Sequence, residues 1–188
     1  MKQYLVIYLL SSLILISCGG SDDEVAYVAT PMPLSVPQLF QQLLQEATIP
    51  SNNPQTVEGV TLGRKLFYDP ILSADGTQSC ASCHGPQFSF SDMRRFSIGI
   101  DGIEGTRNSM PLYNMAWNTN ADFFWDGRAT SIEDQAFGPV VNPIEMHNTW
   151  PNVEASLQNT PDYPDLFLEA FGTSTIDSTL VSKALAQF

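Results

Sequence analysis

The chain is 188 residues long, with 8 basic and 20 acidic side chains, a formal charge of −12 and 43% hydrophobic residues. That charge disfavours nucleic acid and anionic membrane surfaces as partners and suits a basic protein partner. Three cysteines are too few for a disulfide framework, so the fold cannot rest on cross-links.

Residues 1–17 read as a targeting segment. Lys2 supplies the positive start, and Tyr4 to Ile16 is an apolar run too short to span a bilayer comfortably. It ends in Leu15-Ile16-Ser17-Cys18, the form of a bacterial lipobox, in which Cys18 is lipidated and becomes the mature N-terminus. A plain signal peptide would end in a small-x-small cleavage site instead. Residues 18–36 follow as an acidic, proline-rich tether. The expectation is an exported lipoprotein of the cell envelope, periplasmic or anchored at the outer membrane or surface, touching membrane only through its lipid.

Residues 37–188 are enough for one domain with one core. Pro37 to Ala47 carries Leu39, Phe40, Leu43 and Leu44 at helical spacing behind a proline. A second helix is marked by Val60, Leu62, Leu66 and Phe67 and ends at Asp69-Pro70. Ser73-Ala74-Asp75-Gly76 is turn chemistry. From Gly85 to Asn108 there is little periodicity, and a loop that long in a compact domain must wrap something. Short helices are predicted over Pro111–Trp117, Ile132–Phe137, Pro151–Leu157 and Tyr163–Phe171. The last begins near Asp177, with Leu180, Val181, Ala184, Leu185 and Phe188 on one face. It is still periodic at residue 188, which suggests a fragment. No sustained period-two alternation occurs, so the class is mainly α.

Between the second helix and the long loop lies Cys80-Ala81-Ser82-Cys83-His84. Two thiols three positions apart can each form a thioether with a haem vinyl group, and the following histidine then falls beneath the iron. Cys-x-x-Cys alone would also suit a redox dithiol or half a zinc site, but the adjacent His and the lack of a second Cys pair argue against both. Haem c is assembled outside the cytoplasm, so the export signal and this pentapeptide support each other. The cysteines then divide as Cys18 to lipid and Cys80 and Cys83 to haem.

Around this motif stand several further words: Leu62-Gly63-Arg64-Lys65-Leu66-Phe67-Tyr68-Asp69-Pro70, Leu72-Ser73-x-Asp75-Gly76, Arg107-Asn108-Ser109-Met110-Pro111 and Phe124-Trp125-Asp126-Gly127-Arg128-Ala129. Glu133-Asp134-Gln135-Ala136-x-Gly138-Pro139 and Asn142-Pro143-Ile144-Glu145-Met146 follow. In that order they resemble the bacterial di-haem cytochrome c peroxidases, including the related methylamine-utilisation enzyme. The resemblance covers the N-terminal, peroxidatic half and implies a cytochrome c-like haem domain with long haem-wrapping loops.

The resemblance implies His84 as proximal ligand, Glu145 as the acid/base over the other face, Gln135 as the group orienting peroxide, and Trp125 as electron conduit. It implies that Pro139 shapes the pocket and that Asn108 lends an oxygen to a calcium ion. Read without the resemblance, Glu145 would only favour the first turn of a helix, Gln135 would sit on the surface, and Trp125 would join Phe123 and Phe124 in a core cluster. Arg128 would pair a haem propionate or a nearby acid.

One departure concerns the sixth iron ligand. Many family members carry a distal histidine where this chain has Ile100, which cannot coordinate iron. His147 reads as a surface residue, and Met93 and Met146 are conceivable substitutes. The expectation is an iron open on its distal face that needs no reductive activation.

The leading reading is a peroxidase domain that reduces hydrogen peroxide with electrons from a small donor protein, cytochrome c or a cupredoxin. It would hold one haem here, with a second in the full-length pattern, and could be a homodimer. Two alternatives stand beside it. One turns the oxidising power of the haem on an organic or protein substrate. The other is a mono-haem electron-transfer cytochrome, which would want two strong axial ligands.

Overall fold

The computed structural model describes residues 27–188. The segment read as a targeting signal and Cys18, the residue expected to carry lipid, lie outside these residues. Among the described residues there are seven α-helices and no sheet: α1 Gln38–Gln41, α2 Val57–Tyr68, α3 Cys80–Cys83, α4 Ile132–Val141, α5 Trp150–Gln158, α6 Asp162–Phe171 and α7 Ser178–Gln187.

Helix α2 begins where Thr56 Oγ1 accepts the Gly59 N–H at 3.0 Å, and it stops where Asp69 turns extended before Pro70. Its Leu62, Leu66 and Phe67 are buried, as the periodicity requires. They meet Val153 and Leu157 of α5, Tyr163 and Phe167 of α6, and Val181 and Ala184 of α7 in one core. Gly63 lets α2 and α7 approach closely, because a Cβ there would overlap the Ala184 carbonyl. Polar bonds lock the same crossing: the buried Gln187 accepts the Thr56 N–H at 3.0 Å and donates to Asn53 Oδ1 at 2.9 Å.

Three predicted elements differ. The helix expected over 37–47 is a single turn, α1, because Leu39, Phe40, Leu43 and Leu44 are all exposed and no packed face holds it. The segment is instead clipped down by Thr48 N–H to the Ala116 carbonyl at 2.8 Å and by Trp117 Nε1–H to the Gln45 carbonyl at 3.0 Å. The helix expected over 111–117 is one 3₁₀ turn, Met115–Trp117, since Asn114 before it is left-handed at φ 57°. Helix α4 continues past Phe137 to Val141, through Pro139. Proline lacks the N–H that would bond the Gln135 carbonyl, so the ladder is broken at a candidate site residue.

The long connection from α3 to α4 runs over residues 84–131 and is pinched by isolated bridges at Gly85–Ser91, Ile98–Glu104 and Phe123–Ala129. It rests on the helical core and walls a cavity.

Candidate active site

The cavity has a volume of about 920 Å³, within the range of cofactor pockets. Cys80, Cys83, His84, Asn108, Trp125, Gln135 and Glu145 all line it, although they come from separate parts of the sequence.

Helix α3 is one turn long and presents both thiols. Its start is tied by Ser79 N–H to Ser82 Oγ at 3.1 Å, and Gln78 Nε2 donates to the Ile98 carbonyl at 2.8 Å. Burial pushes the Cys80 thiol up to about 12 and raises Cys83, with Asp92 and Glu145 adding to the latter. Both thiols are therefore protonated at neutral pH. His84 Nδ1 lies 2.9 Å from the Phe90 carbonyl. A carbonyl only accepts, so Nδ1 carries the proton and Nε2 keeps the lone pair. Burial also lowers the imidazole below its ordinary value, against the pull of the Phe90 and Met110 carbonyls. A neutral, tautomer-locked imidazole beside two free thiols fits covalently held haem.

Glu145 lies in a turn after α4. The helix start that its first-turn placement would otherwise suggest is absent, because Asn142 leaves α4 extended and Ile144 N–H turns back to Asn142 Oδ1 at 2.9 Å. Burial raises the Glu145 carboxyl, while Arg128 and the hydrogen bond from Asn142 lower it part of the way. The carboxyl is thus poised to give and take a proton. Gln135 is only 9% exposed, so it is not a surface glutamine. Trp125 does not belong to the core either: Phe123 is buried, but Trp125 is 60% exposed and its Nε1–H donates to the Asn108 carbonyl at 2.8 Å.

Arg128 Nη1 lies 2.8 Å from Asp126 Oδ1, and its guanidinium sits over the Phe124 ring at 3.5 Å. Arg107 reaches the other Asp126 oxygen at 3.2 Å. Asn108 donates to the Asp92 and Arg94 carbonyls at 3.0 and 2.5 Å, and its Oδ1 accepts from Ser91 Oγ at 3.3 Å. Among the described residues no cluster of three or more His, Cys, Asp or Glu could hold a metal ion.

Ile98 and Gly99, rather than Ile100, line the cavity in the loop over residues 97–100. Ile100 contributes its backbone N–H to the Glu145 carbonyl at 3.0 Å. A Cβ on Gly99 would overlap the Ile144 carbonyl, so this loop sits directly on the turn that carries Glu145. His147 is exposed and faces Asp101 at 3.4 Å. Met93 is 75% exposed, whereas Met146 is buried in the core and lines the cavity. Sequence reasoning missed Asn142, whose only signal was an Asn-Pro turn, and Phe90 and Met110, which act on His84 through backbone carbonyls.

The model of the di-haem cytochrome c peroxidase family matches residues 57–188. The methylamine utilization protein MauG of Methylorubrum extorquens is 42% identical over 140 residues, covering 74% of this chain and 39% of that protein. The cytochrome c peroxidase of Escherichia coli is 39% identical, covering 74% of this chain and 30% of the relative. The cytochrome c551 peroxidase of Pseudomonas aeruginosa is 38% identical, covering 79% and 42%. This chain therefore spans between 30% and 42% of the length of these relatives. Among solved structures, a MauG-like protein associated with microbial copper homeostasis superposes with a TM-score of 0.75 at 29% identity, covering 84% of this chain and 45% of that one. With most of its length inside the family model, the chain belongs to the di-haem cytochrome c peroxidase family.

Proposed function

We propose that this domain reduces hydrogen peroxide to water with electrons from a small donor protein. The observation that carries the reading is one cavity in which a neutral His84 and two thiols share walls with a half-buried carboxyl, Glu145, and a buried amide, Gln135. Cys80 and Cys83 would hold haem c covalently, and His84 Nε2 would ligate its iron. Once bound, the haem supplies the redox-active iron that takes up the two oxidising equivalents of peroxide.

The chain's own residues do the rest. Gln135 holds peroxide through its amide. Glu145 accepts the proton of one peroxide oxygen and returns it to the other, which then leaves as water. Two electrons and two further protons complete the second water. Position 100 offers no imidazole, and Glu145 and Gln135 are the polar groups this reading assigns to peroxide. Pro139, which also lines the cavity, shapes it without taking part.

The test is Glu145→Gln. Mixing the ferric, haem-loaded variant with peroxide should show the absorbance change slowed by about two to four orders of magnitude. A rate within a few-fold of wild type would remove Glu145 from the mechanism.

A second reading, oxidation of an organic or protein substrate, is favoured by Trp125, which lines the cavity and is also largely exposed. Either reading includes an exported cell-envelope protein, with Cys18 lipidated, residues 18–36 as tether and residues 37–188 as the haem domain. Calcium at Asn108 Oδ1 would need its other ligands from outside this chain. A cupredoxin as donor and a homodimer belong to the same proposal.

A further inference from the structure

Asn142 makes two side-chain hydrogen bonds that the roles above leave unused. Its Oδ1 accepts the Ile144 N–H at 2.9 Å, and its Nδ2 donates to Glu145 Oε1 at 2.8 Å. The orientation of this amide follows from chemistry. A backbone N–H requires an acceptor, so the oxygen must face Ile144 and the NH₂ must face the carboxylate.

The turn beneath it is held independently. The Asn142 carbonyl accepts the N–H groups of Glu145 and His147 at 3.1 and 3.0 Å. The Glu145 carbonyl accepts the Ile100 N–H, and the Met146 carbonyl accepts the Ala74 N–H at 2.9 Å. The backbone of Glu145 is thereby fixed, but its long side chain keeps several rotatable bonds. The contact that fixes the carboxyl is the one from Asn142.

We propose that Asn142 is the positioning residue of Glu145, holding Oε1 through Nδ2 so that Oε2 is the oxygen left to exchange a proton with the substrate. The inference rests on the acid/base reading of Glu145. The other groups bearing on this carboxyl are the Arg128 guanidinium and the Cys83 thiol, and the adjoining loop adds Asp101, which is paired with His147. Asn142 differs from all of them in being a neutral donor with a fixed direction. It steers the carboxylate without adding charge to the site.

Two variants of the full chain, loaded with haem, separate positioning from turn-making. Asn142→Asp keeps an oxygen for the Ile144 N–H but puts a carboxylate where the donor was. Asn142→Ala removes both bonds. The first readout is the protonation of Glu145 against pH, followed by the infrared carboxyl band that Glu145→Gln abolishes. The second is the rate of the ferric protein with peroxide.

Positioning predicts that Asn142→Asp raises the Glu145 titration by about one pH unit or more. It also predicts a peroxide rate about tenfold lower at neutral pH. Asn142→Ala should raise the titration less and slow the reaction as well. If Asn142→Asp matches wild type in both readouts while Asn142→Ala does not, the residue only builds the turn and the proposal is overturned. Unchanged titrations in both variants overturn it too. A shifted titration with an unchanged peroxide rate supports the hydrogen bond and overturns the acid/base role of Glu145 instead.

Discussion

Glu145 is the proposed acid/base, and its surroundings set a pH dependence that can be measured without peroxide. Burial raises its carboxyl above the ordinary value of 4.5, with Arg128 and Asn142 drawing it part of the way back. An acid raised in the folded state binds its proton more tightly there than in the unfolded chain. Its contribution to stability is therefore full below the unfolded value and is lost as pH rises through the folded one. Glu145→Gln cannot ionise and escapes that loss. Its urea midpoint should gain on wild type as pH rises from about 4 to about 7. A difference that stays constant across this window would mean that the carboxyl is not desolvated. His84 follows the opposite logic for the same cause, since burial favours the neutral ring that a ligand must be.

Among the elements, α2 and α7 form the crossing on which the cavity rests, and Gly63 sets how closely they meet. Gly63→Val forces a branched side chain against the Ala184 carbonyl. Overpacking of this kind costs about 1–3 kcal/mol or more, because a helix carbonyl cannot swing aside as a side chain can. Chemical denaturation of the haem-loaded protein should show the loss, and a midpoint within error of wild type would mean that the helices part freely. The single turn of α1 illustrates the reverse case. Its apolar positions are spaced for a helix, yet exposed leucines add no burial, and spacing without a partner surface does not sustain a helix. Helix α4 shows a third situation, in which Pro139 interrupts the hydrogen bonds without ending the element, because tertiary contacts with α7 hold it.

At the scale of the whole molecule the acidic surface is the feature that acts beyond the cavity. A chain of formal charge −12 attracts a basic donor and loses that attraction once salt screens it. Steady-state peroxide reduction with a reduced basic cytochrome c should fall about tenfold or more between roughly 0.01 M and 0.15 M ionic strength. Negligible turnover at every salt concentration would favour oxidation of another substrate over the peroxidase reading. The sequence by itself determined the spacing of Cys80, Cys83 and His84, the mainly helical class and the limits of α2, α5, α6 and α7 to within a few residues. Each of these depends on neighbours along the chain: a three-residue spacing, a cap, a periodic apolar face. Family words also picked out Gln135, Trp125 and Glu145, but not their surroundings. Only the tertiary structure decided that Gln135 is buried, that Trp125 is exposed, that position 100 offers a backbone N–H instead of a side chain, and that Asn142 holds Glu145. Burial and hydrogen-bond partners are set by segments far apart in sequence, and no local pattern records which of them will meet.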